Sequence, residues 1–239
     1  TYRPDDGSAP FFQDYVVWDK FDGYRSLVKD SPMAQIAADL MQSDTARVFH
    51  DHILVKEPGN SVVTPWHQDA PYLPVSGERL AVMWISFDPV AADQALVFVR
   101  GSLLGPLYDG SRFDPDDDTL PLYGDGSYPR LPDIEAERER WPLVSWATQP
   151  GDVLVFHPAV LHGGGATDQT SRRRTLSLRF FGEDAVVASR PGMRAVENPV
   201  VDPNVHPLTR MRGLPEGTPF RDPAFPHVRP RQGARSYFV

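Results

Sequence analysis

Hydrophobic and polar positions change in short bursts along this chain, and the bursts predict strands. Residues 48–56 (VFHDHILVK) are β-like and stop at Pro58-Gly59. Residues 80–87 (LAVMWISF) and 95–100 (ALVFVR) read as buried strands by their β-branched and aromatic content. Residues 144–148 alternate, residues 152–157 (DVLVFH) follow a Pro150-Gly151 turn, and residues 175–181 (TLSLRFF) form a further strand. One helix precedes them. Ser31-Pro32 supplies a cap with proline in the first turn, and Met33, Ile36, Ala37, Leu40 and Met41 recur at helical spacing as far as Ser43. Residues 1–30 are irregular and aromatic (Phe11, Phe12, Tyr15, Trp18, Phe21) and read as a wrapping segment.

Residues 101–141 are a polar excursion crowded with Pro, Gly and Asp, with a charged helical turn or two at 134–140. A long insertion between core strands predicts a lid or binding loop. Beyond residue 182 the chain is rich in Pro and Arg, with aromatics at Phe220, Phe225, Tyr237 and Phe238, and reads as a tail around the domain. Short strands at close spacing with a single early helix predict a β-sandwich or jelly roll.

Composition narrows this further. A chain of 239 residues suits one domain spanning 1–239, with its core at about 45–182 and a proline-rich wrapping segment at 183–239. The 25 prolines and 18 glycines exclude a helical bundle or a long parallel sheet. Hydrophobic residues at 41% and charged residues at 23% exclude wholesale disorder. No run of about 18 apolar residues exists, so no membrane partner is expected. A net charge of −8 argues against a nucleic-acid partner. The chain opens TYRPDDGSAPFFQD, with neither Met nor a signal-like apolar run, so a trimmed N-terminus and a cytoplasmic location are expected. There is no cysteine, so disulfides, thiolate metal sites and cysteine nucleophiles are absent, and any metal must take His, Asp or Glu.

Two histidine clusters could bind metal. In Thr64-Pro65-Trp66-His67-Gln68-Asp69 an imidazole and a carboxylate stand two residues apart, and on a strand both would point to one face. A distant histidine would complete a two-His, one-carboxylate triad, the arrangement of non-haem Fe(II) oxygenases. His162, in the run HPAVLHGGG, is the natural third ligand. His50-Asp51-His52 has metal-like spacing too, with an ordinary strand of outward polar positions as its bland reading. Arg172-Arg173-Arg174 lies eleven residues beyond His162 at its central member, and a buried guanidinium there suits a distal carboxylate bound bidentately. A ligand that chelates iron at one end and carries a carboxylate at the other is 2-oxoglutarate. The bland reading of the triplet is a solvated basic turn. His162-Gly163-Gly164-Gly165 also looks like a lipase oxyanion loop, but the G-x-S-x-G nucleophile elbow is missing. A zinc hydrolase would give the arginine no role, and a cupin-like binding module would not need the full set.

Residues 52–72 (HILVKEPGNSVVTPWHQDAPY) resemble the phytanoyl-CoA dioxygenase family of Fe(II)/2-oxoglutarate oxygenases. The likeness continues through Trp84-Ile85-Ser86-Phe87-Asp88, Asp93-Gln94-Ala95-Leu96, Arg100-Gly101-Ser102, Pro150-Gly151-Asp152 and His162-Gly163-Gly164 to Arg173. It covers roughly residues 45–182, and ordered motifs are more specific than any one of them. The chain departs from the family at Leu103, where a histidine is usual, at Gln94-Ala95, which lacks a glycine, and at Gly164, where a serine is usual.

The resemblance implies a mainly β fold, a double-stranded β-helix (jelly roll, cupin-like) with a few flanking helices. It implies His67, Asp69 and His162 as iron ligands, Arg173 as the 2-oxoglutarate carboxylate anchor, Trp84 and His52 beside that co-substrate, and Tyr72 lining the substrate pocket. The implied cofactors are Fe(II), 2-oxoglutarate as co-substrate and O2. The implied activity is an oxygenase hydroxylating a small organic metabolite with release of succinate and CO2. The same ferryl chemistry turned to epimerisation, desaturation or cyclisation in natural-product biosynthesis is the alternative. The carboxylate at position 69 separates the chain from halogenating relatives, which have a small residue there.

Overall fold

Each apolar burst becomes a strand, with ends moved by at most three residues. The computed structural model describes residues 7–114, 116–191 and 207–228. In chain order the elements are β1 (Phe11–Tyr15), α1 (Asp22–Asp30), α2 (Met33–Met41), β2 (Arg47–Lys56), β3 (Thr64–His67), β4 (Val75–Ser76), β5 (Leu80–Ser86), β6 (Leu96–Val99), β7 (Leu143–Ser145), β8 (Val153–Phe156), β9 (His162–Gly164), β10 (Arg173–Phe181), β11 (Val186–Val187) and α3 (Pro207–Arg212). The expectation of an irregular N-terminal segment is corrected. β1 pairs antiparallel with β2 over its whole length, from Phe11 opposite Lys56 to Tyr15 opposite His52. Of β1 only Phe11 is buried, so its sequence shows little apolar alternation. α1 was equally hidden, because Val28 is its sole buried residue.

Five strands form one antiparallel sheet in the order β1-β2-β10-β5-β8, and four form a second in the order β3-β9-β6-β7. The period of two gives the larger sheet unlike faces. On one face Leu176, Leu178 and Phe180 of β10 join Met83 and Ile85 of β5, and α1 and α2 cover them with Val28, Met33, Ala37 and Met41. The other face carries Arg173, Thr175, Ser177 and Arg179 of β10 and looks toward the second sheet. Trp84, Leu154 and Phe156 there pack against Leu96, Phe98 and Val144. The architecture is therefore mainly β with a few flanking helices. The described strands pair as separate sheets and are not hydrogen-bonded into a closed barrel.

The C-terminal tail belongs to the core. Phe220 and Phe225 stack with ring centroids 5.2 Å apart, and both meet Phe49 and Phe181 edge-on. Val228 N–H donates to the Ala46 carbonyl at 2.9 Å, tying the tail to the start of β2. Tyr237 and Phe238 lie outside the described residues. Among these residues no helix is long and apolar enough to cross a membrane.

Candidate metal centre

β3 and β9 meet with His67 directly opposite His162, which places the two imidazoles 4.2 Å apart, centroid to centroid. Asp69 arrives by another route than the one its spacing suggested. β3 ends at His67, and Asp69 has helical backbone (φ −69°, ψ −31°) leading into a turn of 3-10 helix over Ala70–Tyr72, whose Pro71 cannot continue the strand pairing. The turn, and not a shared strand face, swings the carboxylate round until Oδ1 lies 3.6 Å from His67 Nε2. One ligand atom from each of His67, Asp69 and His162 lies within 4.8 Å of the others, and all three residues are buried. His50-Asp51-His52 does not gather in this way. Asp51 points to the opposite face, where its Oδ2 accepts from Val17 N–H and the Tyr24 hydroxyl at 3.0 Å each.

The donor set fits a divalent metal. His67 Nδ1 is 2.8 Å from the Pro65 carbonyl and His162 Nδ1 is 3.0 Å from the Val160 carbonyl. A carbonyl only accepts, so each Nδ1 carries the hydrogen and each Nε2 keeps a free lone pair. Burial, reinforced by the neighbouring His67, lowers the His162 imidazole to about 3, so it is neutral. Burial alone would raise the Asp69 carboxyl, but Arg179 and the two histidines hold it well below the usual carboxylate range. Arg179 Nη2 and Nε donate to Asp69 Oδ2 at 2.8 and 3.0 Å, which leaves Oδ1 facing the imidazoles.

The surrounding motif serves the loops. Gln68 donates to the carbonyls of Ala159 (2.7 Å) and Pro106 (3.2 Å) and accepts from Tyr108 N–H at 2.8 Å, so it fastens the polar excursion to the metal-facing loop. That excursion lays the Phe113 ring 5.4 Å from His67 and stacks it on Tyr72 at 5.6 Å. Tyr72 donates its hydroxyl to the Ser111 carbonyl at 2.6 Å. Ser102 Oγ accepts from Leu161 N–H at 2.9 Å and steadies the approach to His162. Arg190 donates to the carbonyls of Ala70 and Leu73, both at 3.2 Å, and to that of Val75, and so braces the same loop.

Of the arginine triplet, only the central member turns inward. Arg172 pairs with Glu57 at 2.8 Å and Arg174 with Asp88 at 2.6 Å, both on the exposed side. Arg173 is buried and donates to the carbonyls of Gln94 and Gly165. Trp84 is buried on the inner face directly opposite Ser177 of β10. His52 shares that face, but its ring stacks on Tyr15 at 4.2 Å and its Nε2 lies 3.0 Å from Gln13 Oε1. Its Nε2 hydrogen is therefore directed to that amide. Burial, then Arg179, lowers His52 to about 3.

Three residues beside the site were not singled out from sequence: Arg179, Lys56 and Phe113. Arg179 could have been found, because it shares parity with Arg173 on a strand whose alternate positions Leu176, Leu178 and Phe180 are apolar. Lys56 stood in the quoted Lys-Glu-Pro-Gly motif but carried no assigned role. Phe113 lies in the excursion, where no periodicity places a side chain.

The phytanoyl-CoA dioxygenase (PhyH) family model matches residues 7–175. A probable phytanoyl-CoA dioxygenase of Caenorhabditis elegans is 26% identical over 184 residues, covering 73% of this chain and 53% of that protein. The peroxisomal phytanoyl-CoA dioxygenase of Homo sapiens is 26% identical over 141 residues, covering 57% of this chain and 39% of that protein. The chain spans about half the length of the curated relatives it matches. Among solved structures it is similar to the non-heme alpha ketoglutarate dependent epimerase SnoN from nogalamycin biosynthesis, with 25% identity and a TM-score of 0.63 over 91% of this chain and 78% of that one. It shares its fold with the carbocyclase SnoK of the same biosynthesis, at 24% identity and a TM-score of 0.66 over 95% of this chain and 79% of that one. The cytoplasmic expectation is corrected by these relatives, since the human and Rattus norvegicus proteins are peroxisomal. It rested on the lack of a leader-like apolar run, which does not distinguish the two locations. A family match over most of the chain and a buried triad of the type found in catalytic Fe(II)/2-oxoglutarate oxygenases lead to one conclusion: this chain belongs to the phytanoyl-CoA dioxygenase family.

Proposed function

We propose that the chain is an Fe(II)- and 2-oxoglutarate-dependent enzyme that oxidatively remodels a small organic molecule by epimerisation or ring closure rather than by simple hydroxylation. One observation carries the oxygenase reading: the convergence of His67, Asp69 and His162 in a buried site with both Nε2 lone pairs and one carboxylate oxygen free. The likeness to an epimerase over nine-tenths of the chain favours remodelling over hydroxylation. In this reading residues 1–239 form a single domain, and the two facing sheets are the halves of a double-stranded β-helix.

His67, Asp69 and His162 would hold Fe(II), and Arg173 the far carboxylate of 2-oxoglutarate. Trp84 and His52 would flank the co-substrate, and Tyr72 the substrate. Fe(II) bound with 2-oxoglutarate and O2 supplies the oxidising power to break an unactivated C–H bond, with release of succinate and CO2. The chain's part is positioning. The Pro65 and Val160 carbonyls fix the two imidazoles, Arg179 fixes the carboxylate, and Phe113 and Tyr72 screen His67 from water. The outcome then depends on where the pocket holds the substrate carbon once its C–H bond is broken.

The test supplies Fe(II), 2-oxoglutarate, air and ascorbate, the reductant that a redox-neutral epimerisation requires, with a panel of small organic substrates, and follows succinate and substrate mass together. Succinate release with an inverted stereocentre at unchanged mass, or with loss of two hydrogens, supports the proposal. Gain of one oxygen would return the chain to hydroxylation. Absence of succinate with every substrate, and of 2-oxoglutarate binding without air, would sink the oxygenase reading itself.

A further inference from the structure

At one end of the larger sheet two buried basic side chains meet, with no acid beside them among the described residues. Lys56 closes β2 and Arg173 opens β10, and the antiparallel register sets them opposite each other. Lys56 is 2% exposed and Arg173 7%. Their acceptors are all neutral. Lys56 Nζ donates to the Val62 carbonyl and, at 3.2 Å, to that of Gly165. Arg173 donates to the Gln94 carbonyl and, at 2.9 Å, to the same Gly165 carbonyl. The Phe11 ring lies 5.3 Å from Lys56 Nζ.

The acids close in sequence are spent elsewhere. Glu57 pairs with Arg172, Asp88 with Arg174, and Asp168 receives Thr170, Ser171 and the Gln94 amide. Among the described residues neither buried cation has a carboxylate partner. Carbonyl dipoles do not neutralise two adjacent charges, so such a pair either sheds a proton or takes an anion beside it. Two basic side chains answered only by carbonyl oxygens suit an anionic ligand. Gly165 makes it possible, because a Cβ there would lie 2.6 Å from the Asp93 carbonyl oxygen, and only glycine lets the shared carbonyl sit between the cations.

We propose that Lys56 and Arg173 form a two-cation clamp for the far carboxylate of a 2-oxo diacid, with Lys56 as a second anchor beside the arginine. The inference rests on the co-substrate reading above, in which that carboxylate reaches Arg173. It adds a residue and a proton. Among the described residues the groups facing Lys56 are Phe11 from β1, Arg173 from β10 and the Val62 and Gly165 carbonyls, with no acid or histidine. Burial, and then Arg173, hold its ammonium down to about 6, so near neutral pH Lys56 is largely uncharged until an anion joins it. A carboxylate arriving beside it favours the charged form, so the diacid binds together with a proton.

The experiment is calorimetric titration of the Fe(II)-loaded full chain without air, in two buffers of different ionisation enthalpy. The ligands are 2-oxoglutarate and 2-oxobutyrate, which lacks the far carboxylate. The expected result is uptake of most of a proton with 2-oxoglutarate and none with 2-oxobutyrate. Lys56→Met should abolish the uptake and weaken 2-oxoglutarate roughly 10- to 100-fold, the loss of one charge-assisted contact, while leaving 2-oxobutyrate unchanged. Lys56→Arg should restore affinity without the uptake. Binding of 2-oxoglutarate to the wild type with no proton uptake overturns the clamp, even where Lys56→Met fails to fold. Equal affinity in wild type and a folded Lys56→Met does the same. No binding of 2-oxoglutarate to the wild type would overturn the co-substrate reading, and the clamp with it.

Discussion

Asp69 has two oxygens with two partners, and this division is the most consequential residue-level feature of the site. Oδ2 takes the Arg179 guanidinium at 2.8 Å, while Oδ1 faces His67. A carboxylate buried this deeply without a cation would be costly, so the arginine stabilises the metal-free fold and also aims the ligand oxygen. Replacing Arg179 with Met should lower the melting temperature of the metal-free chain and weaken Fe(II) binding by about 10- to 100-fold, the usual size of a lost ligand support. Paired thermal melts and a metal titration check this. Unchanged iron affinity would show that Asp69 is oriented by the turn alone. At this scale the two histidines and Asp69 were legible because their types and order carry the chemistry. Arg173 could not be separated from Arg172 and Arg174 until the strand's parity turned it inward and the other two toward Glu57 and Asp88.

At the scale of elements, β2 is the strand that carries charge-sensitive side chains into the interior. Burial, then Arg179, lowers both His50 and His52 to about 3, so both are neutral in the fold. The unfolded chain binds protons at these residues below the ordinary imidazole value of about 6.5. The stability they contribute is therefore complete above that value and is lost as pH falls from there toward 3. The denaturant midpoint of the metal-free chain should drop on acidification across that window, and replacing both histidines with Gln should flatten the drop. A midpoint independent of pH in the wild type would contradict the burial. The turn after β9 makes a second claim: Gly165→Ala forces a Cβ against the Asp93 carbonyl and should destabilise by about 1–3 kcal/mol in urea unfolding, as overpacked sites do.

The core strands were legible as elements because β-branched and aromatic runs have no other stable use between turns. β1 was not, since an edge strand and an irregular aromatic segment have the same composition. The His67–Asp69 geometry was only half legible: spacing placed both at the site, but the strand ends at the first of them and a turn delivers the second.

Over the whole molecule, the two sheets face each other across the metal site, the helices seal the back of the larger sheet, and the tail locks its flank. In the described part of the tail, Phe220 and Phe225 pack against Phe49 and Phe181. Phe220 is fully buried, so Phe220→Ala should cost about 3–5 kcal/mol of stability, measured by chemical denaturation. A loss near zero would mean that the tail packs on a fold complete without it. Which reaction the centre performs was the least legible property, because it depends on where the excursion and its aromatic residues hold a substrate, and no spacing rule encodes that.

The most direct measurement of the central claim is an electron-density map from crystals grown without air in the presence of Fe(II) and 2-oxoglutarate. The expected map has one metal held by His67 Nε2, His162 Nε2 and Asp69 Oδ1, chelated by the 2-oxo acid, whose far carboxylate ends at Arg173. Metal bound elsewhere, or a co-substrate whose far carboxylate avoids Arg173, would contradict it.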